Sequence, residues 1–114
     1  MSFSMTQPSA ILVGQFDDFE TAQAVSSELQ SAGYRPQDIE QFALNAPGQH
    51  APERPAGVRV AVRVPAAQLQ GRVLGVFNRH AARSIEEARG TWQEGQWRDF
   101  DPVSVPHWIM PPQR

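Results

Sequence analysis

Three histidines, a pair of aspartates two residues apart and ten arginines are the side chains in this sequence that could do chemistry. His50, His80 and His107 stand 30 and 27 residues apart, and none has a histidine partner three or four positions away. Transition-metal sites usually draw ligands from tighter spacings, so no metal site is expected. Asp99 and Asp101 would point the same way on an extended segment, where paired carboxylates share a proton or divide acid and base roles. They lie beside Pro102, though, in a stretch where aspartate ordinarily shapes turns, and the turn reading is preferred. The sequence has no cysteine, which removes disulfides, thiol catalysis and iron–sulfur clusters. No phosphate-loop or nucleophile-elbow glycine pattern occurs. No catalytic residue and no cofactor are assigned, and the chain is expected not to be an enzyme.

The charges are unevenly spread. Residues 1–53 hold one arginine against seven acids, a net of −6, and residues 54–89 hold seven arginines against two acids, a net of +5. Residues 90–114 sum to −1, so the whole is −2, and nothing global draws the protein to nucleic acid or anionic lipid. The absence of lysine reads as compositional bias of the source rather than as a demand for arginine chemistry.

These side chains need elements to position them. Residues 1–9 read as a flexible tail. Residues 10–16, a short apolar run, read as a buried central strand. Asp17 is the expected N-cap of a helix, with Glu20 three residues on as its capping-box partner. Phe19, Ala22, Val25 and Leu29 mark its buried face. Gly33 should end it in a left-handed turn, with Tyr34 as the apolar contact and Pro36 as a stop. Residues 38–44 read as an edge strand with Ile39 on one side and Phe42 and Leu44 on the other, and 45–57 as a Pro/Gly loop. Val58, Val60, Val62 and Val64 alternate with Arg59, Ala61 and Arg63, the plainest strand signal present. The valines should meet helices, the arginines water or a partner. Pro65 opens a second helix over 66–80, with Leu69, Val73, Val76 and Phe77 inward. Gly71 and Gly75 weaken it, and close helix–sheet packing is the expected reason. Residues 81–86 read as a short fourth strand.

The order strand, helix, strand, strand, helix, strand predicts an α+β, ferredoxin-like βαββαβ fold. Its four-stranded antiparallel sheet would run 4-1-3-2, with both helices on one face. The domain is expected over 10–86, with a Trp/Pro-rich extension over 87–114. Burying one tryptophan, roughly 200 Å² at ~25 cal/mol/Å², contributes up to about 5 kcal/mol before entropy is subtracted. The extension with Trp92, Trp97 and Trp108 is therefore expected to pack back on the domain or on a second copy. No apolar run reaches the roughly 18 residues that span a bilayer, and residues 1–10 do not read as a signal peptide. Cytoplasmic localisation and no membrane partner are the expectations.

Two stretches carry a resemblance. VGQFDDFETAQAVSSELQSAGYRPQDIEQFAL, residues 13–44, resembles the opening of small bacterial general-stress-protein-like domains: an apolar strand, a Phe–Asp helix start, an alanine-rich helix and an Ala–Gly–aromatic end. EEARGTWQEGQWRDFDP, residues 86–102, is similar to that family's closing segment of two spaced tryptophans followed by Phe–Asp–Pro, here Trp92, Trp97, Phe100, Asp101 and Pro102. The resemblance implies this fold and a stress association, with no catalytic residues to carry over. The glycine/alanine-rich, membrane-seeking insertion of many relatives is replaced by the loop 45–57. A second likeness, VGQF with an alanine-rich helix and Gly33–Tyr34, is to sporulation-related repeats that bind cell-wall glycan, and it lacks that family's second half. RNA recognition on this architecture would need base-stacking aromatics on the third strand, and residues 58–64 have none.

The sheet face away from the helices is left as the candidate interaction surface, represented by Arg59, Arg63, Trp92 and Trp97. The leading expectation is a binding or regulatory module acting there by self-association or contact with another protein. A small-ligand or glycan-binding module is the alternative.

Overall fold

Asp18, one residue later than expected, starts the first helix of the computed structural model, which describes residues 9–44, 56–64, 70–100 and 105–112. Its carboxylate accepts from the Thr21 backbone N–H at 2.8 Å, and this hydrogen bond holds its pKa below the ordinary carboxylate range. Asp17 instead makes a two-bond fork with Arg83, Oδ1 to Nε at 2.6 Å and Oδ2 to Nη2 at 3.2 Å. Helix α1 covers Phe19–Ser31. Phe19, the first residue of α1, is 57% exposed rather than part of the buried face. Ala22, Val25 and Leu29 do face inward. At the other end Gly33 takes φ +105°, Gly33 N–H donates to Gln30 O and Tyr34 N–H to Leu29 O. These are the two bonds of a Schellman ending, which needs the left-handed residue.

Strands β1 (Ser9–Phe16), β2 (Ile39–Leu44), β3 (Gly57–Val64), β4 (Ser84–Gly90) and β7 (His107–Met110) form one antiparallel sheet in the order β2-β3-β1-β4-β7. Between β4 and β7 the chain makes a two-stranded hairpin, β5 (Trp92–Gln93) and β6 (Gln96–Trp97). Helix α2 is described over Gln70–Arg79. Leu69 and Pro65 of the expected second helix, His50, Asp101 and Pro102, and the expected tail before Ser9 lie outside the described residues. Among the described residues no helix is long and apolar enough to cross a membrane.

The sheet has five strands, not four. His107–Met110 adds a rung beside β4, and no alternation or local propensity announces it, because Pro106, Pro111 and Pro112 close on both sides. Its register against β4 slips, with Ile85 opposite Met110 and Glu86 opposite Trp108. Ile109 is thus an extra residue, a bulge that twists an exposed edge away from further pairing. Strand β4 also runs later than the expected 81–86. Ala81 sits in a left-handed turn at φ 56°, and β4 pairs with β1 along seven rungs from Gln15↔Ser84 to Ser9↔Gly90. The length of the central strand, not the local sequence, sets where β4 ends.

One face of the sheet carries both helices. Leu12, Phe16, Val60, Val62 and Ile85 pack with Val25 and Leu29 of α1 and Val73, Val76 and Phe77 of α2. Phe16 and Phe77 meet edge to face with centroids 5.6 Å apart. Gly71 and Gly75 are not part of this packing: a Cβ at Gly71 would meet nothing within 4 Å, and one at Gly75 only the Arg79 side chain. Close approach to the sheet does not account for them. Glu28 of α1 bonds both Arg79 Nε, at 2.9 Å, and His80 Nε2, at 2.9 Å, tying the two helices together. Those bonds, Arg79's first, hold the Glu28 carboxyl below its usual range.

Candidate functional site

The face away from the helices does not present Arg59 to solvent, while Arg63 is partly exposed. Arg59 is 1% exposed and Trp92 9%, with Ile11, Val13 and Ala61 packed beneath Trp92. Trp97 pairs with Trp92 across the hairpin, is half-buried, and lies 4.6 Å from the Phe100 ring, which in turn lies 5.2 Å from Phe42. The hairpin is pinned by polar contacts. Trp92 Nε1–H donates to Gln37 O at 2.7 Å, and the Trp97 backbone N–H donates to Glu40 Oε1 at 3.1 Å. Asp99 accepts from Thr91 N–H and from Trp97 Nε1–H, both at 2.8 Å. Gly90 makes room for this arrangement, since a Cβ there would collide with the Trp97 indole and the Asp99 carboxylate. Asp99 therefore organises a turn. Beneath the same face lie buried Gln15, Ser84 and Glu86; Ser84 Oγ–H donates to Gln15 Oε1 at 2.9 Å.

Of the four residues singled out on this face, three belong to the buried cover or its bed. Arg63 alone leads elsewhere. Pairing of β2 with β3 begins at Ile39↔Val62, so Arg63 and Val64 run past the start of the edge strand. The notch is filled by the 3₁₀ turn Pro36–Asp38, which follows directly on the Schellman end of α1. Asp38 is buried there and accepts from Arg35 Nε at 3.2 Å and from Arg63 Nε at 3.0 Å and Nη2 at 2.9 Å. From the helix side, α2 brings Arg72, whose Nη1 reaches Ala32 O at 3.5 Å.

Between these groups lies a cavity of about 410 Å³ bordered by Tyr34, Arg35, Asp38, Arg63 and Arg72, with Ala32 and Gly33 at its wall. Three guanidiniums against one carboxylate leave the lining at two net positive charges. Burial pushes the Tyr34 hydroxyl pKa up, and the Arg72 charge offsets part of that rise. Among the described residues that border it there is no serine, histidine or second carboxylate. Arginine forks match carboxylate and phosphate oxygens, and a cavity of this size falls in the roughly 300–1,000 Å³ range of small-molecule sites.

Sequence reasoning reached Arg63 but missed Tyr34, Arg35, Asp38 and Arg72 as a group. The only local signal was the i,i+3 spacing of Arg35 and Asp38 across Pro36. Compared with protein-family models, curated proteins and solved structures, the chain matches none.

Proposed function

We propose that this chain is a non-catalytic, cytoplasmic binding module of ferredoxin-like βαββαβ topology that takes a small anionic ligand in the arginine-lined cavity. The adjacency β2-β3-β1-β4, with α1 and α2 sharing one core with the sheet, supports the topology, and β7 is an addition to its edge. One observation carries the ligand reading: guanidiniums from three separate parts of the chain converge on a ligand-sized cavity holding a single carboxylate. Isolated surface arginines would not share a concave wall with a half-buried tyrosine. The stress association implied by the general-stress-protein-like stretches fits a module that senses a small molecule.

Docking of a partner or a second copy on the sheet face has less support, because Arg59 and Trp92 are buried and the hairpin would have to leave first. The test is a thermal-shift panel of anionic and neutral small molecules on the wild type and on Arg72→Gln. Arg72 is exposed, and its one described bond is long, so the variant should fold. Concentration-dependent stabilisation by anions, reduced in the variant, is expected through mass action. Stabilisation by neutral compounds only, or equal stabilisation of both proteins, contradicts the reading.

A further inference from the structure

The charge and the count of donors in the cavity point past "anion" to a particular class. Asp38 takes Nε of Arg35 and Nε and Nη2 of Arg63. Among the described residues, no group takes the two terminal nitrogens of Arg35 or Nη1 of Arg63, and Arg72 makes only its 3.5 Å contact to Ala32 O. Among the described residues, three arginines from α1's end, β3 and α2 that border one space thus keep donors unused.

A carboxylate has two oxygens and one charge. It saturates two forks and leaves one positive charge of the lining uncompensated. A phosphate monoester has three terminal oxygens and carries about −1.5 to −2 at pH 7, which matches three arginines and two net positive charges together. The volume of about 410 Å³ also leaves room for the organic part of an ester, beside the Tyr34 ring and the apolar wall of Ala32 and Gly33. We propose that the cavity binds a small phosphate monoester, with Arg35, Arg63 and Arg72 each facing a phosphate oxygen and Tyr34 beside the ester group. This rests on the anion-binding reading above and narrows it to one ligand class.

Calorimetry on the intact chain separates the two claims. The probes are phenyl phosphate, phenylacetate and inorganic phosphate, each titrated into the wild type, Arg72→Gln and Arg79→Gln. Arg79 is an exposed arginine outside the cavity and serves as the charge control. Phenyl phosphate should bind saturably and at least tenfold tighter than phenylacetate, with inorganic phosphate weaker than the ester. Arg72→Gln should weaken phenyl phosphate about tenfold, the size of one lost charge-assisted contact of ~1.4 kcal/mol, and Arg79→Gln should leave it unchanged. Phenylacetate binding as tightly as phenyl phosphate, with both weakened by Arg72→Gln, overturns the phosphate class but keeps an anion site. Inorganic phosphate matching the ester removes the role of the organic part. No binding by any probe, or equal weakening by the two arginine variants, overturns the site itself.

Discussion

Along β1 the side chains alternate between two different environments. Leu12 and Phe16 enter an apolar core closed by α1 and α2, where Ser26 is the buried polar side chain of α1. Ile11 and Val13 enter a smaller cluster with Ala61 and Trp92, and beside it the same face buries Gln15, Arg59, Ser84 and Glu86. The helix side is held by area and shape, which tolerate exchange of one apolar residue for another of like volume. The hairpin side is held in addition by directed bonds, from Trp92 to Gln37 O, from the Trp97 N–H to Glu40 and from the Thr91 N–H to Asp99, and each must be made to offset the loss of water. One sheet is thus closed twice by different means. The helix side supplies global stability, and the hairpin side fixes where a short segment docks.

That difference can be broken from the helix side first. Phe77 is fully buried against Phe16, so Phe77→Ala should cost about 3–5 kcal/mol and lower the urea midpoint of the whole domain. Retained stability would mean that the apolar side does not dominate. Gly90→Ala attacks the other side: its Cβ would displace the Trp97 indole, and overpacking of this kind costs about 1–3 kcal/mol. Hydrogen exchange should show faster amides over 91–99 while α1 and α2 keep their protection; uniform loss across the molecule would show that the two sides unfold as one. Gly71→Ala sharpens the account in the opposite direction. With open space at that Cβ, the change should stabilise the domain by up to about 1 kcal/mol through helix propensity, read as a higher melting temperature.

The smallest effect concerns the bonds of Glu28 to Arg79 and His80. The native carboxyl pKa is lowered, so its contribution is present above the ordinary carboxylate range and is lost as pH falls through the native value. The wild type should therefore lose more melting temperature than Glu28→Gln as the pH falls from the ordinary carboxylate range through the lowered native value. Parallel losses in the two proteins would assign the acid sensitivity elsewhere.

The sequence made the helix side legible because its signals are local. A cap within three residues of Thr21, a left-handed Gly33 and four alternate valines each act over a few positions. Even so, the cap falls one residue later than expected, and Phe19, expected inward, is exposed at the first position of the helix. Strand β4 was displaced because its limits come from β1, seventy residues away in the chain, and β7 escaped notice because a proline-flanked run becomes a strand only by pairing. The arginines of 59 and 63 read as equivalents on one strand face, yet one is buried and the other reaches a notch that exists because β2 starts one rung late. The cavity was illegible for the same reason. Tyr34, Arg35 and Asp38, then Arg63, then Arg72 come from stretches whose meeting depends on sheet register and helix placement together.

The central claim is that binding occurs in the arginine cavity and that the sheet face is occupied by the chain's own hairpin. An amide-resolved NMR spectrum tests it most directly, recorded across a series of protein concentrations and then across a phenyl phosphate titration. No concentration-dependent shifts are expected on β1, β3 or the hairpin, and saturable ligand-dependent shifts are expected at residues 32–38, 63 and 72. Shifts at Ile11, Ala61, Trp92 and Trp97 that grow with protein concentration, with the cavity amides silent to ligand, would contradict it and return the sheet face to its role as the interaction surface.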